Sequence, residues 1–301
     1  MLFIITFITF FLSFISPSDP AEILLSKRGA PPSNEVLEKT RKEMGLDKPI
    51  SVQYMNWAKG VLKGDLGKSF RTGKDIQYEL NQALPKTVKL SAMTMVIIVV
   101  SAIPIGILCT MKQDGAFDRC IQMVTYFFVS LPSFVIGLCL LYIFSVKLNI
   151  SKVSASDDLK GYFMPAMVLV INLGSHYVRQ VRSIFLDEYS KDYVIALRSR
   201  GLSEMAILFQ HVLLNSLVPI ITLVGTSFAE LLAGTTIVEN IFSIHGLGYL
   251  AIKSVSNRDY PMVQGIVLWM AIIFVLINIL IDLSYRIIDP RIKLGKEVGE
   301  K

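Results

Sequence analysis

Six apolar stretches punctuate the chain, and their lengths decide which solvent it folds in. An α-helix crosses the hydrocarbon core of a bilayer with about 20 predominantly apolar residues. Residues 87–109, 120–146, 217–237 and 263–283 meet that requirement. Residues 1–16 are apolar but short, and residues 162–180 are interrupted by Asn172, Gly174, Ser175 and His176. With both weaker stretches counted, the pattern predicts an all-α integral membrane protein of six transmembrane helices. The opening run MLFIITFITFFLSFIS has no basic residue ahead of it and no small-x-small site before Pro17, so it is expected to be a retained span and not a cleaved signal.

The polar segments between the runs set the orientation. Residues 17–86 form the longest of them, mixing acidic and basic residues with Tyr54 and Trp57, and read as a small folded outer segment. Long loops escape the positive-inside rule, so the short ones decide. Residues 110–119, 179–216 and 284–301 hold twelve Lys and Arg, against five in residues 147–161 and 238–262. The first group is therefore expected in the cytoplasm, together with both termini, and residues 17–86 outside.

Composition agrees with this picture. Of the 301 residues, 52% are hydrophobic and 18% charged, with a mean hydropathy of +0.54. The formal net charge of +6 fits loop orientation better than nucleic-acid binding. Cys109, Cys120 and Cys139 lie in or at the ends of apolar runs without metal-ligand spacing and read as small apolar residues.

The segment GDLGKS at 64–69 ends like a phosphate-binding loop, but the glycine such a loop needs five residues before Gly67 is Leu62, and no strand precedes it. The chain carries no nucleotide loop, metal-hydrolase pattern or nucleophile elbow, so catalytic residues are expected to be none. The informative polar stretch is 187–219. It reads as a helix closed by Gly201, which accepts a left-handed cap, then a second helix started by Ser203, with Glu204 in its first turn and Met205, Leu208 and Phe209 presented outward. An amphipathic loop lying on the membrane surface accounts for these residues equally well.

The spacing of five residues across this stretch separates the two readings. Ala196, Gly201, Leu202, His211 and Asn215 form the pattern A-x-x-x-x-G-L and then H-x-L-x-N. This resembles the cytoplasmic coupling motif in permeases of binding-protein-dependent ABC importers, in their peptide and nickel branch. The outer segments MGLDKP, VQYMNW and GDLGKSF are similar to that branch as well, as are VENIFSIHGLGYL at 238–250, NRDYPMVQG at 257–265 and DPRIKLG at 289–295. The sequence departs from the pattern at Ile195, where the general motif is acidic, and at Leu214, where the branch often has Arg.

The resemblance implies a type I ABC importer permease fold in the bacterial plasma membrane, with a coupling loop at 183–216 and a core over 87–301. It implies a second permease subunit, two cytoplasmic ABC ATPases that hold ATP and magnesium, and an extracytoplasmic substrate-binding protein. This chain itself is expected to bind no cofactor or structural metal.

Polar residues at bilayer depth are costly and mark pathways or interfaces. Thr222, Thr226, Glu230 and Gly234 recur every four residues, on a face opposite Leu231 and Leu232; the stripe either lines the path or packs on the partner permease. His176 is a second candidate, for a structural hydrogen bond or for cargo. Asn278, Asp282 and Arg286 read as a structural stripe, and Pro104 and Pro132 as bends. The outer segments look somewhat closer to nickel or metal-chelate permeases than to peptide ones. The expected cargo is therefore nickel, as a chelate, with dipeptides or oligopeptides as the alternative. An ion-gradient-driven secondary transporter using Glu230 and His176, or a structural subunit without a pore, are the readings from other classes.

Overall fold

The computed structural model describes residues 2–15, 21, 22, 25, 33–150 and 158–288. All regular structure among them is helical, with one isolated antiparallel bridge between Lys68 and Asp75. In chain order the helices are α1 (Leu2–Ile15), α2 (Asn34–Glu43), α3 (Ile50–Leu62), α4 (Ile76–Met111), α5 (Ala116–Ser130) and α6 (Ser133–Leu140). A π-wound segment, Leu141–Lys147, continues α6. Next come α7 (Leu159–Tyr189), α8 (Asp192–Ser199), α9 (Glu204–Asn215), α10 (Leu217–Ile241), α11 (Leu247–Ser256) and α12 (Tyr260–Ile288). The tail from residue 289, with its DPRIKLG motif, and most of residues 16–32 lie outside the described residues.

By length and composition, Ile76–Met111 and Tyr260–Ser284 are each able to cross a bilayer. The pair α5 with Ser133–Lys147 and the pair α9 with Leu217–Leu232 each have the apolar length of one further span. Of the remaining two expected spans, α1 is apolar but only 14 residues long, and α7 is long enough but carries Asn172, His176, Arg179 and Arg182. The apolar runs underestimate the helices: α4 begins eleven residues before residue 87, and α7 continues nine beyond residue 180.

The chain divides into two compact units, residues 1–87 with 244–274 and residues 88–243 with 275–301. In the first, α1 is held by its aromatic residues. Tyr54 of α3, 3% exposed, is ringed by Phe3, Phe7 and Phe10 at centroid distances of 5.3–5.5 Å, and its hydroxyl lies 2.9 Å from Thr6 Oγ1. Edge-on packing of this kind adds to the burial of each ring. The core below joins Leu66, Ile76, Leu80, Leu247, Met262 and Ile266.

The phosphate-loop lookalike finds its anion in this unit. Ser69 Oγ donates to Asp259 Oδ2 at 2.5 Å, and the amides of Phe70 and Arg71 donate to the same carboxylate at 3.0 and 3.3 Å. Asp259 is 1% exposed, so these bonds replace the water it has lost.

In the second unit, the helix expected over residues 120–146 is broken by 98° between α5 and α6, where Leu131 and Pro132 sit. Proline cannot continue the preceding helix, and at such a break the last carbonyls lose their in-helix donors. Asn172 Nδ2 of α7 donates to the Leu131 carbonyl at 3.1 Å. The residue that interrupts the 162–180 run thus closes the break in its neighbour. By contrast, α4 runs through Pro104 without interruption. The three cysteines are free, Cys109 buried and the other two exposed.

Candidate functional site: a capped turn at the end of the long helices

Helix α8 ends at a turn whose geometry stems from Gly201. Its φ is +81°, a conformation open to glycine at no steric cost. The Gly201 amide donates to the Arg198 carbonyl at 2.9 Å and the Leu202 amide to the Leu197 carbonyl at 3.3 Å, the paired bonds of a Schellman cap. Ser203 then caps α9, its Oγ accepting from the Ala206 amide at 3.3 Å. Both turn signals read from the sequence are therefore present.

An ionic cluster spans the turn. Arg198 donates to Glu204 through Nε at 2.7 Å and Nη2 at 3.2 Å, Tyr189 hydrogen-bonds the same carboxylate, and the guanidinium lies 4.5 Å from the Tyr189 ring centroid. Hydrogen bonds from Arg198 and then Tyr189 hold Glu204 below the usual carboxylate range, and the same carboxylate raises Arg198. A second cluster lies nearby: Tyr193 donates to Glu188 Oε1 at 3.0 Å, and Lys191 pairs with Glu188 at 2.5 Å. Asn215, at the end of α9, is exposed.

The turn sits on a core made from Ile107 of α4, Val181 and Phe185 of α7, Val194 of α8 and Ile207, Leu208 and Val212 of α9, all nearly inaccessible. Leu208 was expected to face outward and does not. Residues Ile207–Val212 are π-wound, which shifts the register and turns Leu208 inward. The outward apolar residues are Ile195 (57% exposed), Met205 (53%), Phe209 (45%) and Leu214 (58%), with Ala196 and Gly201 also exposed, Leu202 partly buried against the core and His211 half-buried.

Beside the turn, Arg182 of α7 grips Asp118 at the start of α5, Nε to Oδ1 at 2.7 Å and Nη2 to Oδ2 at 2.6 Å. The Asp114 amide and Gln122 Nε2 complete the shell of the fully buried carboxylate, at 3.0 and 3.1 Å. One helical turn before α4 ends, Gly106 lets α7 approach: a Cβ there would lie 2.5 Å from Val181. Sequence reading missed this pair, because nothing local links residues 64 positions apart.

The remaining candidates lie elsewhere. On α10, Thr226 and Glu230 are exposed, Thr222 is half-buried, and Leu231 and Leu232 on the opposite face are buried, so the stripe faces away from this chain's own core. The two threonine hydroxyls bond back to Val218 and Thr222 carbonyls at 2.9 and 3.0 Å. The burial of Gly234 and the side chain of Arg286 are not described. His176, exposed on α7, opens onto a cleft with Arg179 and Gln122. Among the described residues, no three His, Cys, Asp or Glu side chains cluster at metal-binding distance.

Comparison with known proteins places this arrangement. Residues 102–294 match the model of the binding-protein-dependent transport system inner membrane component, and residues 1–91 match the N-terminal membrane component of the same system. A probable peptide ABC transporter permease protein, y4tP, of Sinorhizobium fredii is 34% identical over 292 residues, 94% of this chain and 92% of that protein. The nickel import system permease protein NikB of Staphylococcus aureus is 34% identical over 297 residues, 98% of this chain and 89% of that protein. In fold the chain resembles the inward-facing MetNI methionine ABC transporter, with a TM-score of 0.62 at 15% identity, over 71% of this chain and 97% of that one. Two family models that together take in nearly the whole sequence, and relatives matched end to end, establish that this chain belongs to the inner-membrane components of binding-protein-dependent transport systems, the permease subunits of ABC importers.

Proposed function

We propose that this chain forms half of the translocation pore of an ATP-driven importer and receives the movement of a separate ATPase through the turn at Gly201. A second permease completes the pore, an extracytoplasmic binding protein delivers cargo, and two cytoplasmic ATPases hold ATP and magnesium. Both termini face the cytoplasm, in keeping with the excess of Lys and Arg in residues 110–119, 179–216 and 284–301. The observation that carries the reading is the capped turn itself. It leaves Ile195, Ala196, Met205 and Phe209 open to a partner while Ile207, Leu208 and Val212 fasten it to the core shared with α4 and α7. A push on the exposed side therefore reaches the long helices as a rigid displacement, and a permease of this kind contributes different contacts to two states, not chemistry.

The proposed cargo is nickel carried as a chelate, in line with NikB among the relatives. A protein without a carboxylate and imidazole cage among its described residues suits an ion that keeps its own ligands. Peptide is the second reading, favoured by the equal identity to y4tP. Uptake of labelled nickel chelate and labelled dipeptide by proteoliposomes holding the complete importer distinguishes them. Transport is expected to require ATP and to continue when a protonophore collapses the proton gradient. Loss of uptake with the protonophore alone would favour a gradient-driven carrier instead.

A further inference from the structure

The cleft beside His176 has a charge that the coupling role does not use. It measures about 330 Å³ and lies between α5 and α7, with Gln122 and Tyr126 on one wall and His176, Arg179, Gln180 and Arg182 on the other. The helical spacing explains the convergence. Gln122 and Tyr126 are four apart on α5, and His176, Gln180 and the rim residue Ser183 share one face of α7. Two guanidiniums reach the cleft, but they are not equivalent. Arg182 is neutralised by the bidentate pair with Asp118. Arg179 lies 4.1 Å from the Tyr126 ring centroid and has no carboxylate partner among the described residues. Stacking on an aromatic face fixes a guanidinium in place while leaving its N–H edge to bond something else.

Such an arrangement selects charge. A polar cleft holding one fixed, unneutralised cation repels a bare divalent ion and welcomes an anion, and the planar fork of Arg fits a carboxylate with two parallel hydrogen bonds. Gln180, His176 and the amide oxygen of Gln122 supply further polar groups around it. We propose that this cleft is a carboxylate-binding station for passing cargo, with Arg179 as its anchoring residue. The inference rests on the importer reading above and adds the chemical class of the cargo: a molecule bearing a free carboxylate, whether the C-terminus of a peptide or the organic ligand around a metal ion.

The test uses the complete importer with Cys109, Cys120 and Cys139 replaced by Ser and Ser183, one helical turn beyond Arg179, replaced by Cys. Labelling rates with an anionic and a cationic methanethiosulfonate are compared. Removing one charge at this distance in an open polar cleft is expected to lower the anionic-to-cationic rate ratio by about threefold or more in Arg179→Gln, whereas Arg179→Lys keeps it. A neutral reagent checks that the cleft stays intact. Alanyl-alanine and nickel citrate are then offered as protectants, beside alanyl-alanine amide and nickel ion alone. Protection of the unsubstituted cleft by a carboxylate-bearing probe, lost in Arg179→Gln, supports the station, and which of the two protects identifies the source of the carboxylate. An unchanged labelling ratio, equal protection in Arg179→Gln, or protection by neither carboxylate probe overturns it. Should the labelling results hold while the importer takes up neither nickel nor peptide, the importer reading fails and the anion site stands.

Discussion

Gly201 offers a graded test of coupling because its environment separates two causes that usually act together. An added Cβ at this position meets nothing within 4 Å, so a side chain there is not excluded by this chain's own packing. Its φ of +81° is the sole intramolecular objection. For an ordinary L-residue the left-handed conformation costs about 1–2 kcal/mol, while Asn tolerates it and a β-branched residue pays more in strain. A shift of about 2 kcal/mol changes the population of the closed turn by roughly 30-fold. Replacement by Asn, Ala and Val should therefore lower uptake per ATP hydrolysed in that order: little for Asn, several-fold for Ala and at least about tenfold for Val. Assembly of the permease pair should persist in all three, since the core of Ile107, Phe185, Ile207 and Leu208 is untouched. The measurement is uptake and hydrolysis on the same proteoliposomes. If Asn proves as damaging as Val, the partner needs bare backbone at this point and φ is not the reason. Normal coupled transport in the Val variant would refute the role assigned to the turn.

Other predictions rest on separate contacts. Asp118→Asn leaves the buried side of Arg182 without its counter-charge and should lower stability in detergent by about 3 kcal/mol, read as thermal unfolding, with a double-mutant cycle against Arg182→Ala showing strong coupling. Independent, additive losses would show that the pair is not acting as one. Asp259→Ala strips the carboxylate from Ser69 and the amides of Phe70 and Arg71, so limited proteolysis should open residues 63–74 while the capped turn at Gly201 keeps its protection. Glu204 has a lowered pKa, so its pairing with Arg198 is fully present above the ordinary carboxylate pKa and is lost as pH falls through the lowered value. Hydrogen exchange at the amides of residues 200–206 should be faster in Glu204→Gln than in the unsubstituted protein near neutral pH, and the two should converge on acidification. A constant gap across that range would exclude the carboxylate as the cause.

The stretch from Asp187 to Pro219 illustrates how far local rules reach. Gly201 as a cap and Ser203 as an N-cap are decided within four residues by backbone conformation and one side-chain oxygen, and both stand in the structure. The outward placement of Leu208 assumed regular α-winding, and the π turn at Ile207–Val212 removed it. Asn172 looked like an interruption because sequence shows what a residue is and not what lies across the helix interface. There the Leu131 carbonyl needed a donor.

Taken alone, the sequence determined the helical class, the position of the apolar runs, the capped turn at Gly201 and the kinship with importer permeases. Each depends on residues near one another in the chain: about 20 apolar neighbours for a span, a glycine and a serine for a turn, short motifs in fixed order. The tertiary structure decided which polar groups answer one another. Ser69 meets Asp259 across 190 positions, Arg182 meets Asp118 across 64, and Arg179 lies over Tyr126 without a carboxylate of its own among the described residues. A buried charge or carbonyl must find a partner wherever the fold brings one, and sequence distance sets no limit on where that is.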